Sequence, residues 1–238
     1  TTMEISASTI HSFYNSELGK IVRQETINNL SDAMEGHHLS KVCGLGYTSP
    51  YMAFLKESHP QCIFQEMFPD FLGAIIKDNL DFKQEAVDEY FLPIEPSTVD
   101  VIILSHILEL VERPETVIEE AWRVLKPNGL LISIIPRRAG VWTRYDNNPF
   151  GFGRSFSKKQ LNYLLGSYFY LDSSYYYLYT PPWNNFFNYR LSSFLEKIGP
   201  VTVPFLSGLK MEVSKKIIYA KPNQRKKKSS LQRNLATI

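Results

Sequence analysis

The residues with the clearest chemical potential form three groups. Gly44-Leu45-Gly46-Tyr47 follows a short apolar stretch, and glycines in such a turn let backbone approach a ligand that side chains would hold away. His106 ends a second apolar run, VDVIILSH (99–106), where an imidazole serves as pocket wall, helix cap or proton acceptor. Residues 137–156 mix Arg138, Arg144 and Arg154, which suit an anionic group, with Trp142, Phe150 and Phe152, which suit an apolar or planar one. The competing reading of that segment is a packed structural lid whose arginines pair with acids such as Asp146. The chemistry implied is binding and alignment. No Ser-His-Asp set, Walker loop or Cys pair is evident, and His37 and His38 lack the acids or cysteines of a metal site.

These groups need a scaffold, and the apolar pattern supplies one. LSKVCGLGY (39–47), QCIFQEMF (61–68), AVDEYFLPI (86–94), 99–106 and LLISIIP (130–136) read as strands. The runs at 99–106 and 130–136 are continuously apolar, as expected when both faces of a parallel sheet are covered. Helices fall between them: SPYMAFLKES (49–58), with Pro50 in its first turn, and PETVIEEAWRVL (114–125), with acids near its start and Pro127-Asn128-Gly129 as a stop. The expected fold is α/β, a Rossmann-like, doubly wound, mostly parallel sheet. Ligands of such sheets sit beyond the carboxyl ends of the strands.

Either side of this core the signals change. Residues 5–35 read as helix, capped by Ser8 or Thr9, with Gly19 as the expected break. Ser157 should cap a further helix. A strand or hairpin is expected over 168–182, a helix over 186–199 and a last strand over 208–222. The Tyr175–Tyr179 run has no Lys or Arg within it, which argues against a stacking surface for nucleic acid.

The chain has 238 residues, enough for one decorated domain. It carries +2 overall, yet the six basic residues from Lys221 onward meet no acid, so the body is mildly acidic and the tail basic. The tail reads as a solvated, disordered end; contact with nucleic acid is the alternative. Cys43 and Cys62 lie in apolar surroundings as small fillers, which fits a reducing compartment. No apolar run nears the roughly 18 residues of a membrane span, and no signal-peptide pattern opens the chain. The expected location is cytoplasmic.

The run DEYFLPIEPSTVDVIILSHILELVERPETVIEEAWRVLKPNGLLI (88–132) resembles the core of class I S-adenosylmethionine-dependent methyltransferases. The landmarks are an acid before Leu-Pro-apolar, Val-Asp opening a strand, Ser-His-x-Leu-Glu after it, and a helix ending Arg-Val-Leu-Lys-Pro-x-Gly. The glycine loop departs from the family pattern, with Val42 at the acid position and Thr48 at the third glycine. A narrower resemblance, from Phe13 to Lys221, is to a bacterial subgroup of methyltransferase-domain proteins in which that altered loop recurs. It rests on Phe13-Tyr14, Gly44-Leu45-Gly46-Tyr47, Arg138-Ala139-Gly140-Val141-Trp142 and Asn148-Pro149-Phe150-Gly151-Phe152-Gly153-Arg154, among others; Arg137 stands where the subgroup carries Asn.

The resemblance implies S-adenosylmethionine as cofactor. It implies Gly44, Gly46, Glu66, Asp88 and His106 around it, with Asp88 (or neighbouring Glu89) on the adenine amino group and Glu66 on the ribose hydroxyls. An ordinary surface glutamate is the other reading of Glu66. Tyr14, Arg138, Arg144, Phe150 and Arg154 fall on the side of a small-molecule substrate. Methyl transfer is an in-line displacement helped chiefly by alignment, so no acid/base pair is required. The competing function is a non-catalytic scaffold on the same fold. The expected division is an N-terminal helical cap (1–38), the Rossmann-like core (39–136), a lid with closing strands (137–222) and the basic tail (223–238).

Overall fold

The computed structural model describes residues 5–74, 81–138, 140–144, 148–182, 195–200 and 206–218. The expected tail and most of the helix expected over 186–199 lie outside the described residues.

Seven strands form one sheet: β1 (Lys41–Gly46), β2 (Ile63–Pro69), β3 (Lys83–Val87), β4 (Val99–Ser105), β5 (Leu125–Pro136), β6 (Tyr170–Tyr177) and β7 (Leu209–Lys215). Their order is β3-β2-β1-β4-β5-β7-β6. β1 to β5 pair in parallel, whereas β7 lies antiparallel between β5 and β6. Alternation splits the central strands between two cores. Val101 and Ile103 face α1 (Ala7–Asn15), α2 (Glu17–Met34) and α3 (Ser49–Ser58); Ile102 and Leu104 face α4 (Pro114–Val124) and α5 (Lys158–Gly166). From Val101 to Leu104 both faces of β4 are thereby dry, which is why that stretch is wholly apolar.

Several elements depart from expectation for local reasons. The N-terminal helix is capped by Ser6 and breaks at Ser16, which closes α1 and caps α2 by accepting from the Gly19 N–H at 3.0 Å. Gly19 serves close packing instead: a Cβ there would sit 2.0 Å from the Phe13 carbonyl oxygen. β3 runs from Lys83 to Val87, meeting the span expected for it (86–94) only at its first two residues, because Asp88 starts a turn. Its carboxylate accepts from the Tyr90 N–H at 2.8 Å and its carbonyl from the Phe91 N–H at 3.0 Å. The Tyr-rich stretch is a single edge strand, β6, not a hairpin. β7 stops at Lys215. Ser157 caps α5 as expected, with Gln160 completing a reciprocal capping box.

Candidate active site at the carboxyl ends of the strands

Gly46, at φ 100°, ends β1 where the chain must lie against β4. A Cβ there would meet the Ser105 carbonyl oxygen at 2.0 Å, and that oxygen accepts from the Tyr47 N–H at 2.9 Å. Gly44 makes room for a different neighbour. A Cβ on it would sit 2.0 Å from Thr48 Oγ1, so the hollow over the first glycine holds the chain's own threonine.

Glu66 fixes that arrangement. It pairs with Gly44 across β1 and β2 and is completely buried. Its Oε1 accepts from Thr48 N at 2.7 Å, Thr48 Oγ1 at 2.9 Å and Ser49 N at 2.7 Å; its Oε2 accepts from Ser49 Oγ at 2.5 Å and Gln84 Nε2 at 2.7 Å. The positive end of α3 thus rests on a carboxylate from the adjacent strand. This is the environment of Glu66: inside the loop, not on the surface. Gly44→Ala is expected to cost about 2–3 kcal/mol by displacing Thr48. Adding Thr48→Ala should recover part of it, leaving the double variant at least about 1 kcal/mol better than the sum of the singles in denaturant melts. Strict additivity would show that the hollow is not Thr48's.

Beyond β4, His106 adopts φ 53° and is 1% exposed. Its Nε2 lies 2.9 Å from the Tyr14 hydroxyl, which also bonds the Tyr51 hydroxyl. Its Nδ1 lies 3.6 Å from Glu109 Oε1. When Tyr14 donates to Nε2, the ring proton stands on Nδ1, facing Glu109. Neither Nδ1 nor the Glu109 oxygens make a hydrogen bond among the described residues. Burial pushes the His106 pKa down to about 3 and that of Glu109 up to about 7; the Ile107 and Glu109 backbone N–H groups offset part of the latter rise. The pair therefore holds one proton through the mildly acidic range. Burial also raises Tyr14, and Tyr51 to about 12, so both stay hydroxyl donors.

Aromatic rings cover this centre. Phe150 lies 4.8 Å from His106 between ring centroids, and Tyr14 stacks on Tyr47 at 6.1 Å. Phe13 meets Trp142 and Phe150 edge-on, tying α1 to the 142–150 segment.

At the outer rim, β2 and β3 end side by side, since Pro69 pairs with Val87. Asp70 and Asp88 follow directly and both are exposed. Partial burial, then repulsion from Asp88 and Asp70, raises the pKa of Glu89 between them. The ends of β2 and β3 so present a cluster of carboxylates to solvent.

Of the residues read from the sequence, Gly44, Gly46, Glu66, His106, Tyr14 and Phe150 meet at this pole, and Asp88 stands on its rim. The arginines do not converge there. Arg154 donates to the Val111 and Glu112 carbonyls, Arg144 is exposed on a short 3-10 turn (Trp142–Arg144), and Arg138 lines a separate cavity beside β5. Asp70, Tyr51 and Glu109 were not singled out by sequence. Two signals were present: Asp70 is the first acid after the strand-ending Pro69, and Glu109 closes the Ser-His-x-Leu-Glu piece three residues after His106.

This sheet order with an antiparallel β7, and a pole formed by the first glycine loop and the end of β4, define the class I methyltransferase architecture. Residues 40–133 match the family model described as Methyltransferase domain. S-adenosylmethionine is the cosubstrate this domain implies. The fold matches solved structures along most of the chain. A SAM-dependent methyltransferase from Archaeoglobus fulgidus is 13% identical, with 86% of this chain and 96% of that one covered and a TM-score of 0.61. A Pyrococcus horikoshii protein is 17% identical, with 85% and 92% covered and a TM-score of 0.56. The [4+2]-cyclase SpnF is 15% identical, with 82% and 81% covered and a TM-score of 0.56. Curated proteins give no match. Among the described residues no helix is long and apolar enough to cross a membrane, and no cluster of His, Cys, Asp or Glu could hold a metal ion.

Proposed function

We propose that the protein transfers a methyl group from S-adenosylmethionine to a small or medium-sized acceptor. The carboxylate cluster at the ends of β2 and β3 carries this reading. An adenosyl group presents hydroxyl and amino donors beside a sulfonium cation, and exposed acids suit all three. The residues therefore fit the group at its adenosyl end, through Asp88 and Asp70. At its amino-acid end the unbonded Glu109 carboxyl and His106 Nδ1 offer polar partners once Tyr14 and Phe150 swing aside. When bound, the cofactor supplies an electrophilic methyl.

The chain's own residues supply the rest. Gly46 sets the loop against β4, and Glu66 acts by holding Thr48 and Ser49 in place. Phe13, Trp142 and Phe150 exclude water. His106, kept uncharged, orients Tyr14 by accepting from its hydroxyl at Nε2. The two free, buried cysteines support a reducing, cytoplasmic setting.

Calorimetric titration with S-adenosylhomocysteine tests the reading. We expect saturable binding that weakens about tenfold or more in Asp88→Ala, the loss of a hydrogen bond to a charged group. A folded protein that takes up no ligand at millimolar concentration sinks it. One observation favours a second reading, a binding protein on this fold that transfers no methyl group: Thr48 fills the hollow over Gly44 and Glu66 has no vacant acceptor. That the likeness extends to a cyclase agrees that the fold alone leaves activity open. The same titration separates the two.

A further inference from the structure

A second cavity, of about 310 Å³, opens beyond the ends of β5 and β6 and the start of β7, against the N-terminus of α5. Its wall joins cations from three elements: Arg137 and Arg138 after β5, Lys158 at the start of α5 and Lys210 on β7. Ile135, Phe156 and Leu161 give it an apolar side, and Tyr176 stands between two of the cations. The Arg137 guanidinium lies 5.0 Å from the Tyr176 ring centroid and Lys210 Nζ 5.6 Å.

The charge balance is lopsided. Arg137 also donates to Ser207 Oγ at 2.8 Å. Lys210, only 3% exposed, is ion-paired to Glu212, whose other contact is the Ser174 hydroxyl at 2.7 Å. Glu212 is the one acidic partner of the Lys210 ammonium among the described residues, and the ammonium's remaining N–H donors find no acceptor there. A buried ammonium with donors unspent is costly unless something else receives them. The α5 N-terminus adds two lysines, Lys158 and Lys159, and no acid to a first turn whose dipole favours negative charge. Among the described residues the cavity lining carries four cations and no acid.

We propose that this cavity binds an organic anion, a carboxylate or phosphate monoester joined to a compact apolar body. The anionic group lies among Arg137, Arg138 and Lys158, within reach of the Lys210 ammonium, and the apolar body lies on Phe156, Leu161 and Ile135. The volume is at the small end of ligand pockets and fits one ring or a short chain. The site shares the 148–157 segment with the His106 centre, Phe150 facing one and Phe156 lining the other. It requires no methyl transfer.

Calorimetry on the full chain tests this with benzoate, phenyl phosphate, inorganic phosphate and benzyl alcohol. Benzoate or phenyl phosphate should bind with Kd of about 1 mM or tighter, in keeping with a ligand of about ten heavy atoms. Which of the two binds more tightly identifies the anionic group. Benzyl alcohol and inorganic phosphate should each bind at least about tenfold more weakly. Arg138 and Lys158 are exposed, so the double variant Arg138→Gln, Lys158→Gln keeps the fold, and it should weaken the organic anion about tenfold or more. Four outcomes overturn the proposal: no saturation by either organic anion at 10-fold the expected Kd, unchanged affinity in the double variant, inorganic phosphate matching phenyl phosphate, or benzyl alcohol matching benzoate.

Discussion

Glu66→Ala lowers the melting temperature by about 10 °C, the largest effect expected of a single polar substitution in this protein. The carboxylate collects five donors in a fully buried position. Alanine leaves two α3 backbone N–H groups and two hydroxyls facing a dry hollow. Buried donors without acceptors cost about 1–3 kcal/mol each, partly recovered as the loop relaxes, so a net loss of about 3–5 kcal/mol is expected. For a chain of this size each kcal/mol is worth about 2–4 °C. Glu66→Gln should fall between, because its amide oxygen still serves the Thr48 and Ser49 N–H groups while its NH2 confronts the Gln84 amide. Thermal melts at neutral pH decide the matter: an alanine variant within about 1 kcal/mol of the parent would mean that the glycine loop is held by something else.

Glu109→Gln raises stability at pH 8 by about 3 kcal/mol and at pH 5 by less than about 1 kcal/mol. The native Glu109 pKa stands at about 7, against an ordinary 4.5 in the unfolded chain. Below pH 4.5 both states carry the proton. From there to pH 7 the unfolded chain releases it and the native protein keeps it, so stability falls with rising pH by about 1.4 kcal/mol per unit. His106 works in the opposite sense. Its native pKa of about 3 lies below the unfolded 6.5, so stability falls as pH drops from 6.5 to 3. Between pH 4.5 and 6.5 the slopes cancel, because native and unfolded chains each hold one proton on the pair. Stability from this pair is therefore flat in that window, with an alkaline and an acid shoulder. Glutamine mimics the protonated acid and removes the alkaline shoulder. Denaturant unfolding at pH 5 and pH 8 provides the check: a variant whose stability tracks the parent at both would place no buried proton on Glu109.

The core was legible because its signals are local. Residues 101–104 of β4 and 130–136 of β5 are largely apolar for want of any wet face, and the Pro127-Asn128-Gly129 stop falls just past α4, in the exposed opening of β5. The break at Ser16 was misjudged in favour of Gly19 because glycine signals a break by type, whereas Ser16 signals it only through a side chain turned back on Gly19. Glu66 illustrates the deeper limit. Its sequence neighbours suit a strand acid facing a ligand, but its partners, Thr48, Ser49 and Gln84, arrive from three other elements and depend on strand register. The same holds for the second cavity. Arg137 and Lys210 are 73 positions apart and become neighbours only because β7 runs back antiparallel beside β5. Tyr14 was marked for the site by resemblance, while its bond to His106 depends on α1 folding across the end of β4, which no periodicity reports.

The placement of β7 also has a temporal consequence. Among the described residues β6 has β7 alone as its sheet neighbour, and β7 leaves the ribosome some thirty residues later to enter between β5 and β6. A nascent chain ending near residue 200 thus exposes an unpaired margin on β5 and an orphan ribbon of tyrosines. Assembly ends with a threading step, so a stop codon ahead of Leu209 yields a product with two sticky borders.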